Sequence, residues 1–478
     1  MDVLTRVADF IQRHGLLRPG ERVVAAVSGG PDSLCLLDCL VRLGYPVVVA
    51  HLDHQLRPDS REDAEFTLGV AQCYGLPAVL AREDVRRLAR HGISIEHAAR
   101  LVRYRFLARA AREHRASAIA TGHTADDQAE TVLMHFLRGA GPEGLRGMLP
   151  ATPLGDWPDL PEGRGLRLVR PLLDLKRAET ATYCVERGLS PRQDASNLDL
   201  AYLRNRLRHR LLPELEDYNP DIRDTLRRSA RVMSTVADLV TRLSDQAWQD
   251  VSRQAGQTAL ALDCAAFGAQ PEALQFALVR KAIRSLRPDL RDLPLAAVDR
   301  IQQSIVSPPP GGRASVAGGL DLWHTGREAI LAPPGAAILL PDLPQLLSAR
   351  RRRIPVPGSL RLACGWRLDA SLERPGGRKQ FSDQRHVGFD ADALDTDLSL
   401  RPPRPGERLQ PLGMTGSAKL SDLFVNCRVP RLARALWPVV AAGEIPLWVV
   451  GLRRARQAPV TRRTRRALVL RLVAPGEG

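Results

Sequence analysis

The chain has 478 residues, of which 44% are hydrophobic, and its formal net charge is +16 at pH 7. This length favours two to four domains, each with its own core, and the hydrophobic fraction argues against a disordered protein. The most apolar late stretch, residues 436–451, contains two prolines and a glutamate, which excludes it as a membrane span.

Almost all of the positive charge is arginine, and most of the excess lies near the carboxyl end. Only four lysines occur, and residues 401–478 contain 15 basic and 4 acidic residues, a net charge of +11. A GC-rich genome that encodes arginine in place of lysine is one explanation. A local patch of guanidinium groups instead indicates a phosphate-bearing partner such as a nucleic acid.

The seven cysteines are scattered, and no two of them form a C-x-x-C pair. Their odd number and separation are typical of reduced thiols in a cytosol. Cys35 and Cys39 lie four residues apart in a predicted helix, and we interpret them as core residues rather than a redox or zinc pair. We therefore expect a cytoplasmic protein.

A glycine-containing loop follows the first predicted strand. Residues 23–27 form a short apolar run, two glycines break it, and residues 34–43 have the pattern of a helix. Glycines let the backbone approach an anion closely, and a helix N-terminus favours phosphate oxygens. Asp32 would repel a phosphate unless a cation lay between them, so the loop also predicts Mg²⁺ held by Asp32. A turn capped by Asp32 or Ser33 is the alternative, which the preceding strand makes less favoured.

The same residues, Ser-Gly-Gly-Pro-Asp-Ser, resemble the SGGxDS loop of the PP-loop ATP pyrophosphatase superfamily. The resemblance implies that ATP is cleaved between its α and β phosphates and that a nucleophile then displaces AMP from an adenylated substrate. The ATP-binding residues predicted in this loop are Ser28, Gly29, Gly30, Pro31, Asp32 and Ser33.

A second predicted strand, residues 46–51, ends in His51-Leu52-Asp53-His54. Ligands bind beyond the carboxyl ends of strands in open α/β sheets, so this segment should lie beside the phosphate loop. We assign His51 to ATP binding, and Asp53 to the binding of Mg²⁺ or an amine. A turn aspartate that bonds its own backbone is the alternative for Asp53. No further ligands are spaced to complete a zinc site with the two histidines.

Two later segments place charged residues at the same edge. A long basic helix over residues 94–114 carries Arg100 and Arg103 on one face, for which a solvated face is the ordinary explanation. A fourth strand, residues 118–121, is followed by a cluster of candidate catalytic or lysine-binding residues: His123, Asp126, Asp127 and Glu130. A helix cap explains one of these carboxylates. Together they can hold Mg²⁺ or an ammonium group and take up a proton.

An arginine-rich stretch, residues 202–210, follows a further helix. Arg204 and Arg208 lie one helical turn apart, so they could contact a phosphate backbone while Asn205 bonds a base edge. A solvated helix face is the alternative.

Five segments resemble, in order, the motifs of the tRNA(Ile)-lysidine synthetase family: residues 28–33, 51–57, 100–104, 122–131 and 194–208. The resemblance implies that free lysine is joined to C2 of the first-anticodon cytidine of an isoleucine tRNA with the anticodon CAU, through an adenylated cytidine. It also implies that Asp32 and its loop bind Mg-ATP and that Arg103, His123 and Asp127 are active-site residues. Gln55 departs from the family pattern.

The predicted fold class is α/β. We expect a Rossmann-like PP-loop domain with a parallel sheet over residues 1–217, a small, mainly helical central domain over 218–340, and an α+β domain over 354–478. The last of these is basic and resembles the C-terminal module of the family, with Glu407 as a departure. Its candidate tRNA-binding residues are Arg462, Arg463, Arg465 and Arg466.

Two other functions stay open at this stage. A PP-loop tRNA sulfur transferase shares the ATP chemistry but usually carries paired cysteines, which the sequence lacks. A non-catalytic basic RNA-binding protein would keep the arginines but would not need Asp32, Asp126 and Asp127.

Overall fold

The computed structural model of this chain describes residues 2–477 except 54, 56–59, 86–94, 156, 158, 193–198, 291–292, 309–311, 375–383 and 395–396. It divides into two compact units, Met1–Leu243 and Ser244–Gly478. The predicted boundaries at 217, 340 and 354 stay a prediction. Within the described residues, no helix is both long and apolar enough to cross a membrane.

The first unit is built on a six-stranded sheet with the order β3-β2-β1-β4-β6-β5. All neighbouring pairs are parallel except β5 with β6, so the predicted parallel α/β sheet is confirmed. The chain runs outward from β1 through β2 to β3 and then returns to β4 on the other side of β1. This change of direction creates a switch point between β1 and β4, where open α/β sheets bind ligands. The strands are β1 Val23–Ala26, β2 Val47–Asp53, β3 Ala78–Arg82, β4 Ala118–Thr121, β5 Ala151–Pro153 and β6 Arg167–Val169.

Helices cover both faces of this sheet because alternate strand residues point to opposite sides. Val23 and Ala25 pack with the helix Pro31–Arg42, here called the loop helix. Val24 packs with the helix Ile95–Glu113, here called the basic helix. The other helices of this part of the chain are Val3–Arg13, Ser60–Cys73, Ala125–Leu137, Pro142–Leu145, Arg177–Glu186, Leu203–Arg206, Leu212–Tyr218 and Ile222–Val251, with a 3₁₀ turn at Pro161–Gly163 and a π-helical turn at Leu207–Leu211.

The second unit begins with a five-stranded antiparallel sheet, order β7-β8-β11-β10-β9, that packs against helices. Helices were expected in this region, whereas the sheet was not predicted, because its strands are short and interleaved with the helices in sequence. The strands are β7 Ser252–Gln254, β8 Leu260–Asp263, β9 Arg313–Val316, β10 Leu320–His324 and β11 Glu328–Ala332. The helices are Cys264–Gly268, Glu272–Leu286 and Leu295–Val306.

The carboxyl-terminal part consists of antiparallel sheets with orders β12-β16-β19-β20-β21, β13-β14-β22-β15 and β17-β18. Their strands are β12 Arg352–Arg353, β13 Gly358–Arg361, β14 Arg367–Glu373, β15 His386–Asp390, β16 Leu398–Arg401, β17 Arg408–Leu409, β18 Ala418–Lys419, β19 Val439–Ala442, β20 Ile445–Val449, β21 Arg453–Arg454 and β22 Ala467–Val473. Two short helices, Leu420–Asn426 and Arg431–Arg434, complete the predicted α+β architecture.

Candidate active site

The phosphate loop connects the end of β1 to the start of the loop helix. Ser33 closes it, since the Ser33 hydroxyl donates to the Gly30 carbonyl at 2.9 Å and accepts from the Ser28 N–H at 3.2 Å. Gly29 has a φ of +86°, which favours glycine. Gly30 stands at the N-cap and has no side chain to cap the helix, so the N-terminus of this 12-residue helix is suited to an anion.

The segment after β4 lies directly against this helix start. A Cβ atom on Gly122 would be 2.9 Å from both the carbonyl carbon and the carbonyl oxygen of Asp32. Only glycine permits this approach, because backbone atoms cannot move aside as a flexible side chain can. The structure thus brings two predicted motifs, the phosphate loop and the segment that begins at Gly122, together at the β1/β4 switch point.

Asp32 lies in the first turn of the loop helix. One of its carboxylate oxygens accepts from the Thr180 hydroxyl, and the other is 3.5 Å from Nε of Arg177. Burial raises the pKa of Asp32. No group of three potential metal ligands occurs in the described parts of the chain. A single carboxylate nevertheless fits Mg²⁺, which proteins commonly hold through one or two carboxylates together with substrate phosphates and water.

His51 and Asp53 mark the end of the neighbouring strand β2. His51 is buried, and its Nδ1 atom is 2.8 Å from the Val27 carbonyl oxygen, so it supports the strand end that leads into the loop. Asp53 accepts from the Gln55 N–H at 2.8 Å and from Nε of Arg82 at 2.9 Å. The first contact is that of a turn aspartate, and the second is an ion pair. Roles in ATP, Mg²⁺ or amine binding stay predictions, and His54 lies outside the described residues.

Asp127 lies in the first turn of the helix Ala125–Leu137, here called the acidic helix. It accepts from the Thr124 N–H at 2.8 Å, which is the capping contact that the sequence indicates. Its other oxygen is 3.0 Å from Arg177 and 3.2 Å from Arg204. Burial alone would raise the pKa of Asp127, but these two guanidinium groups outweigh it and lower the pKa to about 2. Asp127 is therefore both a cap and an ion-pair partner.

Glu130, one turn further along, is completely buried. Its carboxylate accepts from Nε of Arg204 at 2.8 Å and from Nε of Arg208 at 2.6 Å, and Arg177 approaches to 3.5 Å. Arg204 and Arg208 are thus engaged inside the protein, so their contact with tRNA stays a prediction. Asn205 donates to the Asp199 carbonyl at 2.8 Å.

Arg177 lies in this candidate site but was not predicted from the sequence. It lies at the start of the helix Arg177–Glu186, contacts Asp32, Asp127 and Glu130, and donates its backbone N–H to Asp126 at 2.8 Å. The signal available in the sequence is its place just after β6, whose carboxyl end shares the ligand edge of the sheet. Asp126 also accepts from Arg223 at 3.1 Å.

His123 lies two residues before the acidic helix and within electrostatic range of several arginines. Its Nδ1 atom is 2.8 Å from the Thr121 hydroxyl. Burial, reinforced by the positive charges of Arg170, Arg204 and Arg103, lowers the pKa of His123 to about 3, against the opposing effect of Asp127. The imidazole is therefore neutral at pH 7. Arg103 lies on the exposed side of the basic helix, within electrostatic range of His123.

The basic turn before β22 exposes its arginines in the second unit. The Thr464 hydroxyl donates to Asp390 at 2.7 Å and anchors the turn. Arg466 pairs with Asp392 at 2.6 Å. The other three candidate tRNA-binding side chains are exposed to solvent: Arg462, Arg463 and Arg465.

Known proteins resemble this chain over almost its whole length. Residues 2–215 match the PP-loop domain family, and residues 398–470 match the TilS substrate C-terminal domain family. The chain is 37% identical to the tRNA(Ile)-lysidine synthase of Geobacter sulfurreducens, with 98% of this chain and 97% of the relative covered. The chain belongs to the tRNA(Ile)-lysidine synthase family.

Other members of the tRNA(Ile)-lysidine synthase family agree with this assignment. The relative from Symbiobacterium thermophilum is 35% identical, with 96% of this chain and 95% of the relative covered. The relative from Dehalococcoides mccartyi is 34% identical, with 97% and 98% covered. The predicted resemblance is confirmed, and the family assignment favours it over the sulfur transferase and the non-catalytic RNA-binding protein.

Proposed function

We propose that this chain joins free lysine to C2 of the first-anticodon cytidine of an isoleucine tRNA with the anticodon CAU. ATP is consumed, and AMP and pyrophosphate are released. The observation that carries the proposal is the close approach of Gly122 to Asp32, in a chain of the lysidine synthase family. This approach supports the proposal because it puts the segment that begins at Gly122 next to the phosphate loop.

The proposed reaction has two steps. Cytidine O2 attacks the α-phosphorus of ATP and pyrophosphate leaves; the neutral ε-amine of lysine then attacks C2, AMP leaves, and the amine loses a proton. Backbone N–H groups at the start of the loop helix bind phosphate oxygens, and Asp32 would hold Mg²⁺. When bound, Mg²⁺ neutralises the negative charge of the phosphates.

The arginine and carboxylate network gives these groups a fixed geometry. Arg177 connects Asp32 on the loop helix to Asp127 and Glu130 on the acidic helix. A fixed arrangement lowers the barrier because the reacting atoms need little reorganisation. In this proposal Asp127 and Glu130 support the site by holding Arg177 and Arg204 in place. We further propose that Asp53 or Asp126 binds the lysine substrate.

The basic carboxyl-terminal region would hold the body of the tRNA. Its match to the TilS substrate C-terminal domain family and the exposed arginines of the turn before β22 support this part of the proposal. Arginine contacts to backbone phosphates add affinity without reading bases.

The proposal is tested by incubating the chain with ATP, radiolabelled lysine and tRNA transcripts. We expect label in the transcript with the anticodon CAU and none in a matched transcript with a different first-anticodon base. If no labelled lysine is transferred to the CAU transcript although tRNA binding is intact, the proposal is wrong.

The Asp32→Asn variant tests the phosphate loop. We expect pyrophosphate release to fall on the order of a hundredfold, as for loss of one charge-stabilising group, while tRNA affinity stays nearly unchanged. Asp217→Asn is the matched control, because Asp217 is exposed at the end of a surface helix. Equal rates for the two variants would contradict the assignment of Asp32.

A further inference from the structure

Arg170 is a buried arginine without a carboxylate partner in the described parts of the chain. Only 4% of its surface is exposed, and its Nη1 atom donates to the Thr152 hydroxyl at 3.0 Å and to the Leu149 carbonyl at 2.5 Å. Its buried Nε atom has no hydrogen-bond partner. Neutral oxygens do not balance a full charge, and an uncompensated buried charge is strongly unfavourable. An anionic group that binds nearby would supply the missing charge.

Arg100, on the basic helix, likewise has no ion pair among the described residues. Its guanidinium lies 5.6 Å from the ring centre of Tyr104 and 5.3 Å from that of Trp157. The two rings meet edge to face at 5.0 Å. Cation–π attraction to the rings holds the guanidinium in place, and its N–H groups can donate to a bidentate acceptor such as phosphate.

The two arginines lie beside the site already described. Val169 at the end of β6 pairs with Ala120 of β4, so Arg170 is level with Thr121, two residues before His123. The charge of Arg100 acts on Arg170, and that of Arg170 acts on His123. Neither Arg100 nor Arg170 has a carboxylate partner within the described residues, whereas Asp127 and Glu130 of the acidic helix already pair with Arg177 and Arg204.

We propose that Arg100 and Arg170 form a subsite for a backbone phosphate of the RNA next to the modified nucleotide. This inference rests on the proposed function. RNA is favoured over ATP because positive charge along the nucleic-acid backbone is typical of single-stranded nucleic-acid binding. The phosphate loop also offers ATP its own donors, and the loop helix packs on the sheet face opposite the basic helix.

The decisive comparison is between Arg100→Gln and Arg109→Gln. Both residues are exposed arginines of the basic helix, but Arg109 has Glu162 at 3.6 Å, whereas Arg100 lies over the two aromatic rings. Affinity for an anticodon stem-loop transcript is measured from 50 to 200 mM salt, with ATP affinity measured in parallel. For Arg100→Gln we expect the slope of log affinity against log salt concentration to become shallower by about 0.7 to 0.9. Between 50 and 200 mM salt this variant should therefore lose roughly threefold less affinity than the wild type. Arg109→Gln should keep the wild-type slope, and neither variant should change ATP affinity.

Arg170→Gln provides a second measurement, because glutamine keeps a donor for Thr152 and Leu149 but removes the charge. If the charge is retained for RNA, the melting temperature of the free protein should stay the same or rise, while stem-loop affinity should fall about threefold or more. A structural role predicts the reverse pattern, a lower melting temperature with unchanged RNA affinity, and that result would overturn the inference.

Two other results would also overturn it. Equal salt slopes for Arg100→Gln and Arg109→Gln would show that Arg100 contacts no RNA phosphate. Loss of ATP affinity with unchanged RNA affinity would assign the anion to the nucleotide. Failure of lysine transfer by the wild-type chain would contradict the proposed function alone, because the RNA-binding comparison requires no catalysis.

Discussion

Glu130 provides a sharp test of the charge network, because the sequence suggested a catalytic or lysine-binding carboxylate whereas the structure shows a buried ion-pair partner. Its side chain is 0% exposed and contacts three arginines that are 18–33% exposed. We expect Glu130→Gln, which keeps the shape and removes the charge, to destabilise the protein strongly. The positive charges of Arg177, Arg204 and Arg208 would then be balanced by Asp127, by Asp32 beside Arg177, and by partial solvation.

The expected size follows from burial. Removing one partner of a buried ion pair costs about 3–5 kcal/mol. The arginines keep some contact with solvent, and glutamine still offers one carbonyl oxygen, so we expect the lower end, about 3 kcal/mol of the free energy of unfolding. For a domain of 150–250 residues, each kcal/mol shifts the melting temperature by about 2–4 °C, which gives a drop of about 6–12 °C.

The assay is thermal unfolding of the full chain, with Glu62→Gln as the matched control. Glu62 pairs with Arg192 at a comparable distance of 2.8 Å, but its side chain is 65% exposed. An exposed pair contributes about 0–1 kcal/mol, so the control should lose less than about 4 °C.

A similar melting temperature for the two variants would refute the reasoning, because Glu130 is buried and contacts three arginines, whereas Glu62 forms one exposed pair. If Glu130→Gln kept its stability and lost only lysine affinity, Glu130 would be a substrate-binding group. A loss of both stability and lysine affinity would show that the ion-pair network around Glu130 supports the site through its structure.

Three further predictions concern other parts of the chain. Gly122→Ala should place a Cβ atom against the Asp32 backbone, which should cost about 1–3 kcal/mol of stability and slow pyrophosphate release. The control Gly141→Ala, whose Cβ atom would meet nothing within 4 Å, should change neither stability nor pyrophosphate release. Equal effects of the two variants would contradict the close approach of Gly122 to Asp32. Folded His123 has a pKa of about 3, below the ordinary 6.5, so the unfolded chain binds an extra proton between these values and stability is lost as the pH falls from 6.5 towards 3. His123→Gln should flatten this part of the curve of melting temperature against pH, and an unchanged slope would contradict the assignment. The last variant neutralises the four arginines of the basic turn: Arg462, Arg463, Arg465 and Arg466. It should reduce the salt slope of tRNA binding by about 0.7–0.9 per lost phosphate contact and leave ATP affinity unchanged. An unaltered slope would mean that these arginines reflect composition only.

The sequence predicted the features that depend on short stretches of chain. The apolar run of residues 23–27 and the two glycines after it indicate a strand and a phosphate loop, because strand burial and glycine conformations are local properties. The cap formed by Asp127 is local as well, since Thr124 lies three residues away. The fold class of the N-terminal domain and the ligand edge of its sheet follow from such signals.

The partners of the charged side chains depend on the tertiary structure. Arg204 and Glu130 are 74 residues apart in sequence, and Arg177 and Asp32 are 145 residues apart. A helix of arginines presents the same pattern whether its side chains contact solvent, RNA or a buried carboxylate. The sequence therefore indicated that Arg204 and Arg208 are positioned for anions, and only the packing of the acidic helix against them decided that Glu130 is the anion. Charge pairing over such separations depends on where the chain folds back, which no local pattern encodes.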